Sequence, residues 1–479
     1  MAPTTVKWVD TRKRSRLVGR DFKPKGESER ADIFASMPPW EAKKMLFSKA
    51  ASQKGALRKR KLLFIDATKA HVNGPCNVDS FIDLPDEIKE DGMCAKLKFW
   101  LYGMRPAAQA WEDLYADRLV EYGFVRGICA PTVFKHKSKK MECVVHGDDF
   151  TILGFENDLD DLEKAMAGWF EIKVRGRIGP DENDLKIMTI LNRKIEWLSW
   201  GIRITADQKH AEKMLEHFDL GEDSTSVNSP GKKEEAKDGD DGEKAGDDKL
   251  EGKEVSIYRG LAATMNYLSQ DRFDTQFASK ELCRDMSSPS IASTAKAKRA
   301  ARYLLGCPTV EIEFVEQYMP KYLKIYVDSD WAGCLDTRKS TSGGVAMHGC
   351  HCLKTWSSTQ SVRATSSAEA EFYAIIEGAS RGLGMKSLCM DLDSELGVIM
   401  YSDASAGRSM CFRKGLGRVR HLETKYLWIQ DLVKEGRIQL LKVKGTENPS
   451  DIGTKHLSFA EMNELLLGIG QRIVTRERR

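Results

Sequence analysis

The sequence lacks any hydrophobic run long enough to cross a bilayer, and it lacks a paired cysteine motif. None of its apolar runs approaches the roughly 18 residues that a membrane span needs, so no span is expected. Residues 1–22 contain basic side chains without the apolar core of a secretory signal. The 11 cysteines are scattered and odd in number. These absences indicate reduced thiols and a cytoplasmic or nuclear location.

The closest approach to a metal-binding cysteine and histidine cluster is HGCHC at residues 348–352. Zinc sites usually pair two such clusters at a defined spacing, and no second cluster follows this one. An ordinary structural role is therefore the favoured interpretation of this segment.

Length and charge distribution bound the organisation of the chain. At 479 residues, about two to four domains are expected. The formal charge is only +4, but basic residues gather near the N-terminus, at residues 43–61 and at the C-terminus. Such local patches suit a phosphate-backbone partner, although solvated surfaces explain many of them. Residues 231–254 contain no aromatic or β-branched residue, which predicts a disordered acidic linker.

Hydrophobic periodicity predicts strands and helices on both sides of this linker. Before it, strands are predicted over 61–66 and 141–148, and helices over 107–124 and 158–170. After it, helices are predicted over 258–270 and 292–306. A strand over 321–328, a hairpin over 341–356, a helix over 368–392 and strands over 398–403 and 438–445 follow. This pattern predicts a multidomain α/β and α+β protein.

One group of acids lies at or just after the first two predicted strands. Asp66 ends one strand, and the segment VVHGDDF places Asp148 and Asp149 side by side at the end of the other. A type I′ hairpin turn is one explanation for the glycine and aspartates. The other is a Mg²⁺ site, because strand-end carboxylates are the ligands this ion needs and its charge offsets their repulsion.

A second group of acids comprises Asp328, Glu371, Asp403 and Asp451. Two of them end predicted strands, Glu371 lies on a predicted helix, and Asp451 lies in a loop. Four such carboxylates suit a two-metal site that activates water against a phosphodiester. From spacing alone, helix caps and surface acids remain the alternative.

Several motifs together resemble a known family. The chain contains RSRLVGRDFKPKG (14–26), FIDATKAHVNG (64–74), WLYGMRPAAQAW (100–111) and VVHGDDF (144–150). Further along are a YRG…YLSQDRFD…MSSP segment (258–289), VDSDWAG (327–333), SSAEAEFYA (366–374), RHLETKYLWIQ (420–430) and NPSDIGTKHL (448–457). In this order they resemble the reverse transcriptase and ribonuclease H regions of Ty1/copia-type retrotransposon Pol polyproteins. The resemblance covers almost the whole chain.

The resemblance implies site residues and partners. Asp66, Asp148 and Asp149 would be polymerase metal ligands, and Asp328, Glu371, Asp403 and Asp451 would be ribonuclease H ligands, with Mg²⁺, or Mn²⁺ as an alternative, as the cofactor. Within AEAEF the family pattern favours Glu371 over Glu369. Implied partners are an RNA template, a DNA primer, their hybrid and deoxynucleoside triphosphates, without a membrane.

Some roles follow from the resemblance and from general chemistry together. Arg14, Arg16 and Lys23 would lie near the incoming triphosphate, which basic side chains bind well. His421 would assist product release, with an ordinary solvated or core histidine as the alternative. The ribose 2′-hydroxyl of the RNA strand needs polar contacts, and the candidates are Ser366, Ser367 and Arg363.

Several positions depart from the family pattern. His146 and Gly147 replace the Tyr-Val of its YVDD turn, and Leu427 replaces a histidine. His71 stands where an aromatic residue normally rejects the 2′-hydroxyl, and Pro106 stands where the family has a glutamine. The protease and integrase regions of a complete element are not in this sequence. The alternative function is therefore a decayed or co-opted nucleic-acid-binding protein that does not polymerise, with a middle case that retains only ribonuclease H.

The predicted domains follow from the resemblance and the linker. Residues 10–228 would form fingers and palm, 229–255 the disordered linker and 256–318 a helical thumb or connection. Residues 320–458 would form a ribonuclease H-like mixed β-sheet with flanking helices, and 459–479 a basic tail.

Overall fold

The computed structural model describes residues 3–11, 14–22, 33–233, 248–417 and 419–476, and the chain divides into two compact units. Unit 1 comprises Met1–Leu46, Leu57–Leu185 and Ser387–Ser394. Unit 2 comprises Phe47–Ala56, Lys186–Lys386 and Glu395–Arg479. The predicted domain limits at 228 and 320 remain predictions. The centre of the predicted linker, residues 234–247, lies outside the described residues.

Helices and strands begin in unit 1 with a hairpin and a helix whose last residues belong to unit 2. In chain order they are β1 (Val6–Thr11), β2 (Arg14–Gly19), α1 (Trp40–Ala51), β3 (Lys61–Ala67), β4 (Phe81–Asp83), β5 (Cys94–Lys96), α2 (Ala107–Tyr122), β6 (Val125–Arg126), β7 (Val133–His136), β8 (Met141–His146), β9 (Asp149–Gly154), α3 (Glu156–Trp169) and β10 (Ile172–Ile178).

The remaining elements belong to unit 2, apart from the end of one long helix. They are β11 (Ile187–Ile190), β12 (Arg193–Leu198), β13 (Gly201–Thr205), α4 (Lys209–His217), α5 (Gly252–Leu268), α6 (Phe273–Arg284), α7 (Ile291–Gly306), β14 (Thr309–Val315), β15 (Tyr322–Ser329), β16 (Thr341–His348), β17 (His351–Thr359), α8 (Ser367–Asp391), β18 (Gly397–Ser402), α9 (Ser405–Phe412), α10 (Trp428–Lys434), β19 (Gln439–Lys442), α11 (Phe459–Gly468) and β20 (Gln471–Val474).

The main sheet of unit 1 is antiparallel, with strand order β10-β3-β9-β8-β7-β6. Side chains from β3, β8 and β9 pack against α2 and α3 in one hydrophobic core. Trp111 of α2 lies at its centre, with its ring centroid 4.9 Å from that of Phe170 and 6.5 Å from that of Phe150. Burial of these aromatic rings fixes α2 on the sheet, since each removes a large apolar area from water.

Unit 2 contains two five-stranded sheets. One is antiparallel, in the order β11-β12-β13-β14-β20. The other has the order β17-β16-β15-β18-β19, in which β15, β16 and β17 are antiparallel while β18 and β19 run parallel to β15. The second sheet is the mixed sheet that the ribonuclease H-like prediction requires. Helices α4, α5, α6 and α7 pack together around a core that includes Met214, Met265 and Leu304.

Glycines allow α8 to lie directly on the mixed sheet. A β-carbon at Gly378 would be 2.3 Å from Val327 Cγ1, and one at Gly382 would be 3.0 Å from Ile325 Cγ1. Both distances are shorter than an ordinary van der Waals contact, so a larger residue at Gly378 would push the helix or Val327 aside, and one at Gly382 would press on Ile325. The close packing of α8 on β15 also determines the position of Glu371, which lies seven residues before Gly378 on the same helix.

The predicted multidomain α/β and α+β architecture is confirmed, and each predicted strand and helix is present within a few residues. Two segments differ from the prediction. Helix α5 begins at Gly252, inside the segment predicted as linker. Residues 459–474, predicted as part of a tail, form α11 and β20, and β20 pairs with β14. Among the described residues, no helix combines the length and apolarity needed to cross a membrane.

Candidate carboxylate active sites

The first group of aspartates lies around the hairpin that joins β8 and β9. The turn consists of Gly147 and Asp148, and His146 pairs with Asp149 across it. Gly147 has φ of +67°, whereas Asp148 is not among the residues with positive φ. Positive φ at the first turn residue alone is typical of a type II′ turn, so the expected type I′ turn is wrong. The turn leaves the Asp148 side chain exposed.

Strand pairing brings Asp66 to this turn. In the antiparallel ladder of β3 and β9, Asp66 lies opposite Asp149. The backbone N–H of Ala67 donates to the carbonyl oxygen of Asp148 at 2.9 Å. The indole Nε1 of Trp111 donates to the carbonyl oxygen of Gly147 at 2.9 Å, which ties α2 to the turn. Backbone contacts therefore gather the three predicted polymerase ligands at one end of two strands.

A basic side chain lies between two of these carboxylates. Arg175 Nη2 forms an ion pair with Asp66 and lies 3.2 Å from Asp149 Oδ1. Burial raises the pKa of Asp149, while the positive charges of Arg175 and Lys43 oppose the rise. Arg175 is the extra residue at a bulge in β10, where the register with β3 shifts between Val174 and Gly176. Bulges re-aim side chains in this way next to functional sites.

Arg175 could not be predicted from the sequence, because its position depends on this bulge and no local motif indicates a bulge there. The predicted triphosphate residues are only partly described. Arg14 lies in β2, but its side chain, like all of Lys23, lies outside the described residues. The Arg16 guanidinium carbon lies 4.8 Å from the Tyr102 ring centroid, within range of a cation–π contact.

His71 also lies beside Tyr102, with 5.1 Å between the ring centroids. Burial lowers the pKa of His71, and the Asp148 carboxylate partly opposes this. Pro106 stands at the residue before α2, where its missing N–H costs nothing. These positions place His71 near the first carboxylate group. They leave its effect on sugar selection as a prediction.

The second group of acids converges in unit 2. Asp328 lies on β15, Asp403 directly follows the parallel strand β18, and Glu371 lies in the second turn of α8. One ligand oxygen from each lies within 4.8 Å of the other two. Helix α9 also packs closely here, because a β-carbon at Gly407 would be 2.8 Å from the β-carbon of Glu371.

Burial and mutual repulsion control the charge of this group. Both raise the pKa of Glu371 to about 9, with Asp328 and Asp403 as the repelling charges. The pKa of Asp403 is raised by burial and by Asp328. Glu371 Oε2 is buried and has no hydrogen-bond partner. A set of carboxylate oxygens with an unpartnered buried oxygen fits a hard divalent cation such as Mg²⁺.

Asp451 lies beside this group on a 3₁₀ turn, Pro449–Gly453. Lys455 Nζ lies 2.7 Å from Asp451 Oδ1 and 3.4 Å from Asp328 Oδ2, and the Thr454 hydroxyl donates to Asp328. Burial and the charge of Asp328 raise the pKa of Asp451 to about 6. Asn448 Nδ2 holds the turn by donating to the carbonyl oxygen of Val327 at 3.0 Å.

Thr454 and Lys455, which contact Asp328 and Asp451, were not predicted from the sequence. Their signal was present in NPSDIGTKHL, where a hydroxyl and an ammonium follow the acid by three and four residues. In a helical turn, such spacing places side chains on one face. The signal is weak by itself, since most such lysines are solvated.

Glu369 and Glu371 have different surroundings in the structure, although only two residues separate them. The Glu369 carboxylate is buried and accepts hydrogen bonds from the Thr365 backbone at 2.9 Å, the Thr365 hydroxyl at 2.7 Å and the Tyr373 hydroxyl at 3.0 Å. His421 Nε2 lies 3.0 Å from Glu369 Oε2, and the His421 side chain is half exposed. These bonds lower the pKa of Glu369 although burial opposes them. Glu369 is thus engaged away from the carboxylate group that contains Glu371.

The other predicted polar residues occupy the segment before α8. Ser366 Oγ accepts a hydrogen bond from the backbone N–H of Glu369 at 3.3 Å, so it caps the helix. Ser367 is the first residue of α8, and Arg363 is exposed. Their contacts with a ribose remain a prediction.

The HGCHC segment forms part of a buried hydrogen-bond network. Nδ1 of His348 and Nδ1 of His351 lie 2.7 Å and 2.8 Å from Ser48 Oγ, and His351 Nε2 lies 2.7 Å from the carbonyl oxygen of Val315. Burial lowers the pKa of His348 to about 3 and that of His351 to about 4. These contacts agree with the favoured structural interpretation.

Comparison with known proteins gives this geometry a family context. Residues 3–229 match the family model described as reverse transcriptase (RNA-dependent DNA polymerase). The chain is 24% identical to the retrovirus-related Pol polyprotein from transposon RE1 of Arabidopsis thaliana across 97% of its length, and 23% identical to that from transposon TNT 1-94 of Nicotiana tabacum across 95%. The chain is a homologue of copia-type transposon Pol polyproteins. The predicted resemblance is confirmed.

The homology has a defined extent. The chain spans 31% of the RE1 polyprotein and 34% of the TNT 1-94 polyprotein, about a third of each. Among solved structures, a foamy viral protease-reverse transcriptase in complex with an RNA/DNA hybrid matches 92% of this chain and 50% of its own, at 11% identity and a TM-score of 0.48. The chain carries a reverse transcriptase domain, and its two carboxylate groups lie in different units.

Proposed function

We propose that this chain is an RNA-directed DNA polymerase with an appended ribonuclease H. Its substrates would be an RNA template, a DNA primer, their hybrid and deoxynucleoside triphosphates. The observation that carries the proposal is the gathering of acids far apart in the sequence into two groups, in a homologue of Pol polyproteins. Each group has the ligand chemistry of a phosphoryl-transfer site.

In unit 1, Asp66, Asp148 and Asp149 would hold Mg²⁺ or Mn²⁺. Bound divalent ions would stabilise the attacking and leaving oxygens of an in-line displacement. The protein's part is to hold the carboxylates: the β3–β9 ladder fixes two of them, and the bond from Trp111 to Gly147 fixes the turn that carries the third. Arg175 has to withdraw from Asp66 and Asp149 before both carboxylates can bind a cation fully.

In unit 2, Asp328, Glu371 and Asp403 would hold the ions that serve hydrolysis of the RNA strand, with Asp451 as a fourth ligand at their edge. Lys455 balances the negative charge of Asp328 and Asp451. Base pairing within the hybrid supplies sequence selectivity, so the protein needs to bind only backbone and sugars. Ser366, Ser367 and Arg363 are the proposed contacts with the 2′-hydroxyl.

A second candidate function is a ribonuclease H without polymerase activity. It is favoured by Arg175, which pairs with two of the three polymerase aspartates, whereas Asp328, Glu371 and Asp403 lie within 4.8 Å of one another. The two candidates differ only in DNA synthesis.

The test compares the purified chain with two variants on a primed RNA template, with Mg²⁺ or Mn²⁺. Asp148→Asn combined with Asp149→Asn should abolish primer extension and leave hybrid cleavage intact. Asp403→Asn should do the opposite. Cleavage without extension by the unaltered chain supports the nuclease alone, and the absence of both activities refutes the proposal.

A further inference from the structure

Trp331 is a large exposed aromatic residue close to the second carboxylate group. Its side chain is 54% exposed, although tryptophan is usually well buried. It follows Asp328 by three residues, so its α-carbon lies within about 11 Å of that of Asp328, since each residue extends the chain by at most about 3.6 Å. An exposed indole this close to proposed catalytic carboxylates calls for a functional explanation.

The loop that carries Trp331 is held by specific contacts. Asp330 accepts a hydrogen bond from the backbone N–H of Thr341, and the backbone N–H of Ala332 donates to Ser340 Oγ at 3.0 Å. Ala332 has φ of +53°, a conformation that costs energy in a residue with a side chain. A β-carbon at Gly333 would be 2.0 Å from Asp330 Oδ2. The loop is thus tightly folded around Asp330 and presents Trp331 at its surface.

The orientation of the indole is fixed from a second side. Trp331 Nε1 donates to the carbonyl oxygen of Ala364 at 3.2 Å. The segment that contains Ala364 is itself anchored, because Gln360 Nε2 donates to Ser329 Oγ, Ser342 Oγ and the carbonyl oxygen of Ala370. The indole therefore bridges the end of β15, which carries Asp328, and the approach to α8, which carries Glu371.

This hydrogen bond limits what the indole can contact. Nε1–H is the only donor of the side chain, and Ala364 uses it. A ligand can therefore meet only the apolar faces and edge of the ring. In a paired hybrid the base faces stack on one another, and the wide, shallow minor groove displays the riboses of the RNA strand. The C–H surfaces of the sugars remain for the indole, and the RNA strand is the one that the proposed carboxylate site would cut.

We propose that Trp331 packs against a ribose of the RNA strand, one or two nucleotides from the phosphate at the Asp328 group, and thereby positions an RNA/DNA hybrid for cleavage. This inference rests on the proposed ribonuclease H function and adds a positioning residue to it. Exposed Arg338 and Arg363 lie on the two segments that meet at Trp331, and their charge suits the adjoining phosphates.

The first test measures shielding of Trp331 directly. Acrylamide quenching of tryptophan fluorescence is compared between the unaltered chain and Trp331→Phe, with EDTA present so that no strand is cut. The difference between the two proteins reports Trp331. Adding an 18-base-pair RNA/DNA hybrid, at a concentration that saturates fluorescence anisotropy, should remove most of that difference. A DNA duplex of the same sequence should remove less.

The second test separates positioning from chemistry. Trp331→Ala should raise KM for hybrid cleavage about three- to ten-fold and change kcat little, because a sugar covers less of the indole than a stacked base, and loss of an aromatic–base stack costs about five-fold or more. Trp331→Phe should restore most of the loss. Tyr318→Ala, which removes another exposed aromatic side chain of unit 2, is the matched control and should leave KM unchanged.

The outcomes distinguish this inference from the proposed function. Hybrid that is bound and cut while Trp331 stays fully quenchable overturns the role of Trp331 and leaves the nuclease standing. An equal rise in KM for Tyr318→Ala also overturns it. Failure to bind or cut the hybrid at all refutes both.

Discussion

Replacing Glu371 with glutamine should make the metal-free protein more stable. Glu371 is buried among the carboxylates of Asp328 and Asp403, and its pKa is about 9, whereas the unfolded value is 4.5. At neutral pH the folded protein therefore keeps a proton on Glu371 that the unfolded chain has already released. Stability from this group is fully present below pH 4.5 and is lost as the pH rises towards 9.

The size of the effect follows from the shift. At pH 7 the medium lies two and a half pH units above the unfolded pKa, and each unit corresponds to about 1.4 kcal/mol, so ionisable Glu371 costs the fold about 3 kcal/mol at most. Glutamine has nearly the same shape and cannot ionise. The Glu371→Gln variant should therefore gain about 2–3 kcal/mol at pH 7 and nothing at pH 4.5.

Urea denaturation in EDTA, repeated between pH 4.5 and pH 8.5, measures this difference. Glu369→Gln is the matched control: Glu369 lies two residues away on the same helix, but its hydrogen bonds lower its pKa, so this variant should lose stability. Mg²⁺ should then stabilise the unaltered chain more than Glu371→Gln. A Glu371→Gln variant that is less stable than the unaltered chain at pH 7, or a difference that ignores pH, refutes the reasoning.

Three further outcomes are expected. Lys61→Met should lower the free energy of unfolding by about 1–3 kcal/mol in thermal denaturation, because it removes the cation that Asp184, Asp181 and Glu156 share, although Glu156 keeps its ion pair with Arg177; Lys69→Met, which removes an exposed pair, should cost under about 1 kcal/mol, and equal losses would contradict this. Because only the unfolded chain takes up protons at His348 and His351, each should lower the free energy of unfolding by about 2 kcal/mol between pH 8 and pH 5; His348→Gln should remove about half of that decline in urea titrations, and an unchanged decline would exclude His348 as a source. Arg175→Gln should tighten Mn²⁺ binding to unit 1 in calorimetry about ten-fold, by removing a competing cation; weaker binding would mean that Arg175 assists the metal instead.

Local patterns were sufficient for most of the secondary structure. The strand at 61–66 and the helix at 107–124 have unbroken apolar periodicity, and β3 and α2 match them closely. The strand β20 near the C-terminus was missed for a physical reason. It pairs with β14, about 160 residues earlier, and nothing in the local sequence identifies that partner. Pairing between distant segments overrides local propensity.

The residues of the candidate sites also divide into those that the local sequence predicts and those that it does not. The seven acids could be predicted from the sequence because strand ends, together with the family motifs, point to them, and the structure gathers them into two groups. The basic side chains that balance them were not found. Arg175 reaches its carboxylates through a β-bulge, and Lys455 through a 3₁₀ turn. The bulge depends on strand register and the turn depends on local backbone geometry, and hydrophobic periodicity encodes neither.

Because of these two basic residues, the two carboxylate groups differ in how readily they can bind a cation. Arg175 bridges Asp66 and Asp149, the two proposed polymerase ligands that strand pairing fixes, so a cation that binds both has to displace it. Lys455 instead pairs with Asp451 and one oxygen of Asp328 at the edge of its group. It leaves Glu371 Oε2 without a partner. A cation at the second group has to displace the Glu371 proton, whereas one at the first group has to displace a paired guanidinium from two carboxylates, so the second group should fill at the lower metal concentration. A metal titration of the two activities should therefore show hybrid cleavage appearing before primer extension.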